Sequence, residues 1–160
     1  MRKFALFAAL SLSGAAFAAD LRPANDPRLI AKVFPPSAKV RLVNVWATWC
    51  APCVAEMADL RAVDDAFGNE LALAGVSLDD MIPGTKPEQV KAFLDQQKVT
   101  WPNVYFTGSP DALGTHYDFD GQIPLTILYD ANGRELWRSQ GVIKKEDMIA
   151  RVRALLRRTK

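Results

Sequence analysis

The stretch Val40-Arg41-Leu42-Val43-Asn44-Val45-Trp46 is β-branched or apolar on both of its faces, the pattern of a strand buried in a sheet that helices cover. It runs directly towards Cys50. After Pro52 the period changes. Cys53, Met57, Leu60, Val63 and Phe67 recur at intervals of four, three, three and four, which predicts a helix ending near Gly68-Asn69. Leu71 to Leu78 predicts a second buried strand, followed by a loop through Asp79, Asp80, Pro83 and Gly84. Thr85-Lys86-Pro87-Glu88 reads as a helix start, with Thr85 or Lys86 at the cap, Pro87 in the first turn, and Val90, Phe93 and Leu94 on the apolar face to about Lys98. A short strand over Asn103–Phe106 and a weaker helix over Pro110–Tyr117 precede Gly121-Gln122-Ile123-Pro124. Leu125–Tyr129 and Glu135–Arg138 then form two strands around the turn Asp130-Ala131-Asn132-Gly133, a strong antiparallel hairpin signal. The final helix runs from about Lys145 to Arg158, and its basic end suits the negative pole of the helix dipole as a solvated face.

Alternating strands and helices closed by a hairpin and a last helix predict an α/β sandwich around a mixed sheet, the hairpin supplying its antiparallel part. Residues 19–38, punctuated by Pro23, Pro27, Pro35 and Pro36, read as an N-terminal arm whose apolar stretch Leu29–Phe34 packs on the body. The domain proper then spans residues 39–160. A chain of 160 residues with 49% hydrophobic and 24% charged content has room for one such core and not for a second domain.

The first 18 residues read as a secretory signal: Arg2-Lys3, an apolar run from Phe4 to Leu12, and the small-residue site Ala16-Phe17-Ala18, with cleavage expected after Ala18. The alternative is an uncleaved N-terminal membrane anchor, although the run is shorter than the roughly 20 residues a spanning helix uses. A soluble protein of the periplasm or another extracytoplasmic compartment is the expectation. Removing Arg2 and Lys3 leaves 18 of the 20 basic residues against 18 acidic ones. That balance argues against nucleic acid as a partner, since phosphate binding needs clustered excess cations.

Cys50 and Cys53 are the only cysteines and His116 is the only histidine, so four Cys or His ligands for zinc cannot be assembled within the chain. In an oxidising compartment structural disulfides are the ordinary use of cysteine. A bridge from Cys50 to Cys53 closes so short a loop that it constrains the unfolded chain little, so redox chemistry explains the pair better than stability. At a strand-to-helix junction the Cys50 sulfur meets unpaired backbone N–H groups and the positive end of the helix dipole, both favouring thiolate. Cys50 is therefore the expected nucleophile. Cys53, one turn in and on the apolar stripe, is the expected resolving thiol. Pro52 lacks an N–H and so loses no backbone bond in the first turn. Trp46 reads as core, while Trp49 fits the core or the approach to the cysteines equally. A peroxide-reducing thiol would need a threonine at a different offset from Thr48, and covalent haem attachment would need His where Val54 stands. A Cu(I) carrier using both thiolates and Met57 is the alternative from a binding class, although Met57 on the helix stripe reads first as core filler.

The run Asn44-Val45-Trp46-Ala47-Thr48-Trp49-Cys50-Ala51-Pro52-Cys53, with Ala55-Glu56-Met57, resembles the active-site segment of thioredoxin-fold proteins, and most of all TlpA-like (ResA-like) exported thiol-disulfide oxidoreductases. Ile123-Pro124-Leu125-Thr126, continuing to Gly133, is similar to the family's cis-proline strand and hairpin. The resemblance implies a thioredoxin-like three-layer sandwich with a helix-strand insertion between Leu78 and Ile123. It implies a cis Pro124 facing the cysteines, a backbone at Ile123 that pairs with an extended substrate, and Trp49, Ala51 and Pro52 beside that substrate. It further implies a protein-disulfide reductase without a cofactor or resident metal, acting as a monomer on specific clients such as apocytochrome c or copper-protein cysteines, with a membrane thiol-disulfide electron donor. A disulfide donor working in the opposite direction stays open, because Ala51-Pro52 does not set the potential. Glu56 matches the family and reads as a first-turn acid that suits the helix dipole. Two departures stand out. Asn44 replaces the buried Asp of thioredoxin, and the carboxylate that relatives carry after the second strand falls at Asp79 or Asp80, with Asp79 the candidate proton acceptor. Ala58 stands where many relatives carry a kinking Pro.

Overall fold

The computed structural model describes residues 18–158, so the signal reading of residues 1–18 lies outside the described residues apart from Ala18. The strands are β1 (Leu21–Ala24), β2 (Val40–Trp46), β3 (Leu71–Ser77), β4 (Asn103–Phe106), β5 (Leu125–Asp130) and β6 (Glu135–Gln140). The helices are α1 (Ala51–Phe67), α2 (Pro87–Gln96), α3 (Pro110–Tyr117) and α4 (Lys145–Arg158). One mixed sheet runs in the order β1-β4-β3-β2-β5-β6. The first four strands in that order pair in parallel, and β5 and β6 are antiparallel.

The arm differs from its sequence reading. Its apolar stretch does pack on the body, with Ile30 and Phe34 buried in a 3-10 turn over Pro27–Val33. Yet Leu21–Ala24 also forms a strand, in register with β4 from Leu21↔Asn103 to Ala24↔Phe106. The Asn103 N–H donates to the Asp20 carbonyl at 2.7 Å and the Thr107 N–H to that of Ala24 at 2.9 Å. Without β1, those donors at the margin of β4 would be unpaired. No alternation announces β1 because Arg22 and Pro23 are both exposed, and Pro23 is tolerated on an edge strand that needs no donor on its outer side.

Side chains alternate along β2, so Leu42, Asn44 and Trp46 share one face while Arg41, Val43 and Val45 share the other. The first face receives α1 and α2: Asn44 bonds to Glu56, and Trp46, fully buried as expected, stacks on Phe93 at 5.6 Å. The second lies under α3 and the Pro27–Val33 turn. Trp46 Nε1–H donates to Asn103 Oδ1 at 3.1 Å, and the two meet above Gly75. A Cβ on Gly75 would lie 1.8 Å from that Oδ1 and 2.9 Å from Nε1. Gly75→Ala is therefore expected to break this buried bond and destabilise the fold by about 2 kcal/mol or more, read as a lower urea midpoint with an unchanged slope.

Candidate active site

β2 delivers the chain to Cys50, which caps the N-terminus of α1 in extended geometry. Its Sγ accepts the Cys53 backbone N–H at 3.2 Å, and the two cysteines are joined in a disulfide. That N–H and the dipole of a 17-residue helix both favour negative charge on the Cys50 sulfur once the bond is opened. Cys50 is 6% exposed and Cys53 is fully buried, so an incoming group reaches Cys50 first. Ala51 and Pro52 are exposed in the first turn, and Trp49 is 51% exposed, on the approach and not in the core.

From the far side of the sequence comes the loop before β5. The Ile123–Pro124 peptide is cis, and the Ile123 carbonyl oxygen lies 3.8 Å from Cys50 Sγ. Pro124 is buried, Ile123 is half-buried, and the Ile123 N–H bonds to no described residue. Cys50 and the Ile123–Pro124 pair, 73 residues further along the chain, thus share one site.

Two buried carboxyl groups flank it. Asp79 accepts from the Thr48 N–H at 3.1 Å, from the Thr48 hydroxyl, and from the Ser77 hydroxyl at 2.7 Å. It thereby ties the turn before Cys50 to the end of β3. Glu56 departs from its sequence reading as a first-turn acid suited to the dipole: it is 1% exposed, in the second turn of α1. It accepts from Asn44 Nδ2 at 2.9 Å and from the Ile143 backbone N–H at 3.1 Å, and Asn44 also donates to Thr126 Oγ1 at 3.1 Å. Burial outweighs those donors and lifts the Glu56 carboxyl to about 7. The signal for this was present in the sequence as Asn44 facing an acid on the helix that follows, but only the packing of the Ile143 loop removes Glu56 from water.

The AhpC/TSA family model matches residues 30–158. The chain belongs to the AhpC/TSA family. Among relatives, the thioredoxin-like protein YneN of Bacillus subtilis is 30% identical over 67% of this chain and 59% of its own length. The thiol-disulfide oxidoreductase ResA of Geobacillus kaustophilus is 28% identical over 66% of this chain and 57% of its own. The chain thus spans under two thirds of the length of these relatives. The solved thioredoxin-related protein of Neisseria meningitidis serogroup B superposes with a TM-score of 0.61 at 25% identity, over 75% of this chain and 87% of that one. The resemblance and the thioredoxin-like fold expected from the two motifs are both borne out.

In this AhpC/TSA-family chain Trp49, the residue before Cys50, lines a groove of about 510 Å³. Trp49, Leu78, Met81, Leu113 and Phe119 form its apolar lining, and Asp111 and Asp120 its charged one. The Gln122 N–H bonded to Asp120 holds that carboxyl below its usual range, so the groove is acidic at neutral pH. Sequence reading selected none of these groove residues except Trp49, because α3 and the Leu78–Ile82 segment meet only in the folded chain. Met57 is buried in the core, and His116 lies on α3 beside a different cavity. No helix among the described residues is long and apolar enough to cross a membrane.

Proposed function

We propose that this protein is an exported thiol-disulfide oxidoreductase that reduces disulfides in client proteins. The observation that carries the reading is a cysteine pair at a helix N-terminus, its outer sulfur beside the carbonyl that precedes cis Pro124. In the reduced form the Cys50 thiolate attacks a client disulfide, forms a mixed disulfide and expels one client thiolate. The Cys53 thiolate then attacks Cys50 Sγ, restores the Cys50–Cys53 bond and releases the second client thiolate. Two electrons pass to the client, and its two thiolates each take up a proton. A membrane thiol-disulfide donor returns the protein to the dithiol.

Glu56 suits the proton exchange with Cys53 better than Asp79 does. It lies three residues along α1 from Cys53, roughly 5–6 Å between Cβ atoms, and its carboxyl titrates near neutrality. Asp79, held by Thr48 and Ser77, serves as a positioning residue for the turn before Cys50. The free N–H of Ile123 supports short β-augmentation by an extended client segment, with Trp49, Ala51 and Pro52 across from it. The acidic groove favours clients with apolar and basic residues near the cystine, and apocytochrome c or copper-protein cysteines are the clients that the family resemblance implies.

The test is the equilibrium reduction potential of the Cys50/Cys53 pair, followed by Trp fluorescence in dithiothreitol or glutathione buffers. A value at or below about −250 mV is expected of a reductant, and one near −120 mV would make the protein a disulfide donor instead.

A further inference from the structure

At the N-terminal end of β2, opposite the end that leads to Cys50, a cavity of about 280 Å³ lies between the sheet, the Pro27–Val33 turn and α3. Ile30, Phe34 and Val43 form its apolar walls. Arg41 enters from β2, and Tyr129, its cross-strand partner on β5, lines the cavity with it. Tyr117 and His116 contribute from α3.

The polar groups here lack partners. Arg41 Nε is buried with no hydrogen bond, and Arg41 joins no ion pair among the described residues. Its guanidinium lies 5.8 Å from the centre of the Phe34 ring, a contact that leaves the N–H edge of the fork free. The hydroxyls of Tyr117 and Tyr129 bond to no described residue, although burial raises both phenols, that of Tyr129 to about 12. No acidic residue among the described residues lines the cavity. A buried donor without an acceptor is costly, and native structures normally provide one. The donors are in excess, one of them is permanently cationic, and the space beside them is apolar and small.

We propose that this cavity is a binding site for a small monocarboxylate with a compact apolar body. The carboxylate sits on the Arg41 guanidinium, where a planar fork matches its two oxygens, and the tyrosine hydroxyls donate to what remains. The body packs against Phe34, Ile30 and Val43. A single guanidinium in so limited a volume suits one negative charge better than a phosphate ester, and an apolar lining rejects fully hydrated anions. Nothing in the redox cycle uses these residues, so the site stands apart from the disulfide chemistry.

Benzoate is the probe, titrated into the oxidised full chain by calorimetry and by NMR of the aromatic side chains. Saturable binding at millimolar concentrations or below is expected, with shifts at His116, Tyr117 and Tyr129. Benzyl alcohol, which keeps the ring and lacks the charge, is expected to bind about tenfold more weakly or worse, as is benzoate to Arg41→Gln. Absence of saturation with benzoate, or equal binding of benzyl alcohol, overturns the proposal. Because the two ligands are compared on the unaltered protein, the result stands even if Arg41→Gln fails to fold.

Discussion

Replacing Cys53 by Ser will leave the protein covalently attached to its clients. The variant keeps the exposed edge of Cys50 and the Cys53-position backbone N–H that stabilises its thiolate, so the first attack proceeds. A serine hydroxyl does not displace a disulfide sulfur, so the mixed disulfide persists until an external thiol arrives. Turnover is expected to fall roughly a thousandfold or more, while a Cys50-linked adduct accumulates. Cys50→Ser should lose turnover to the same extent and form no adduct, because Cys53 is fully buried and out of reach of a macromolecular disulfide. Non-reducing electrophoresis and mass spectrometry of the adduct check both outcomes. Trapping by Cys50→Ser and not by Cys53→Ser would reverse the roles assigned to the two sulfurs.

The second large effect is on stability against pH. Glu56 ionises near 4.5 in the unfolded chain and near 7 in the fold, so between these values the folded state holds the proton more tightly than the unfolded state does. Unfolding releases that proton, and stability must fall as pH rises through the window. The loss approaches about 3 kcal/mol once Glu56 is ionised in both states. The carboxylates held low by donors, Asp120 and Asp130 among them, act in the opposite sense but only at more acidic pH. Asp64, raised by burial, adds to the same downward slope and is unchanged by a substitution at position 56. Glu56→Gln keeps an oxygen for the Asn44 amide and removes the titration, so its stability should vary much less between pH 5 and pH 8. Urea midpoints at both pH values decide the matter. A slope equal to that of the unaltered protein would show that Glu56 is not the group responsible.

Some features of the chain are set by near neighbours and others by residues far along it. Strand β2, the turn at Cys50 and helix α1 follow from a local change of hydrophobic period, from alternating and apolar to a 3.6-residue stripe, and each lies where that pattern put it. The expected order of thiol reactivity rests on the same local fact, since a helix start presents free N–H groups to Cys50. The hairpin at Asp130–Gly133 is equally local.

Other features depend on partners far along the chain. The β1 strand has no pattern of its own and exists because β4 would otherwise present an open edge. The environment of Glu56 is made by Asn44 from β2 and by the Ile143 N–H, 87 residues away, and without that loop the same residue would be a solvated acid on a helix. The groove beside Trp49 and the cavity around Arg41 arise where α3 meets other segments, and no window of sequence contains both walls. The helices, the strands from β2 onward and the strand-to-helix turn that carries Cys50 and Cys53 were legible along the chain, because backbone geometry and side-chain period are set by near neighbours. Which polar groups lose water and which remain without partners is settled by the packing of distant segments, because burial is a property of packed surfaces and not of residues in a row.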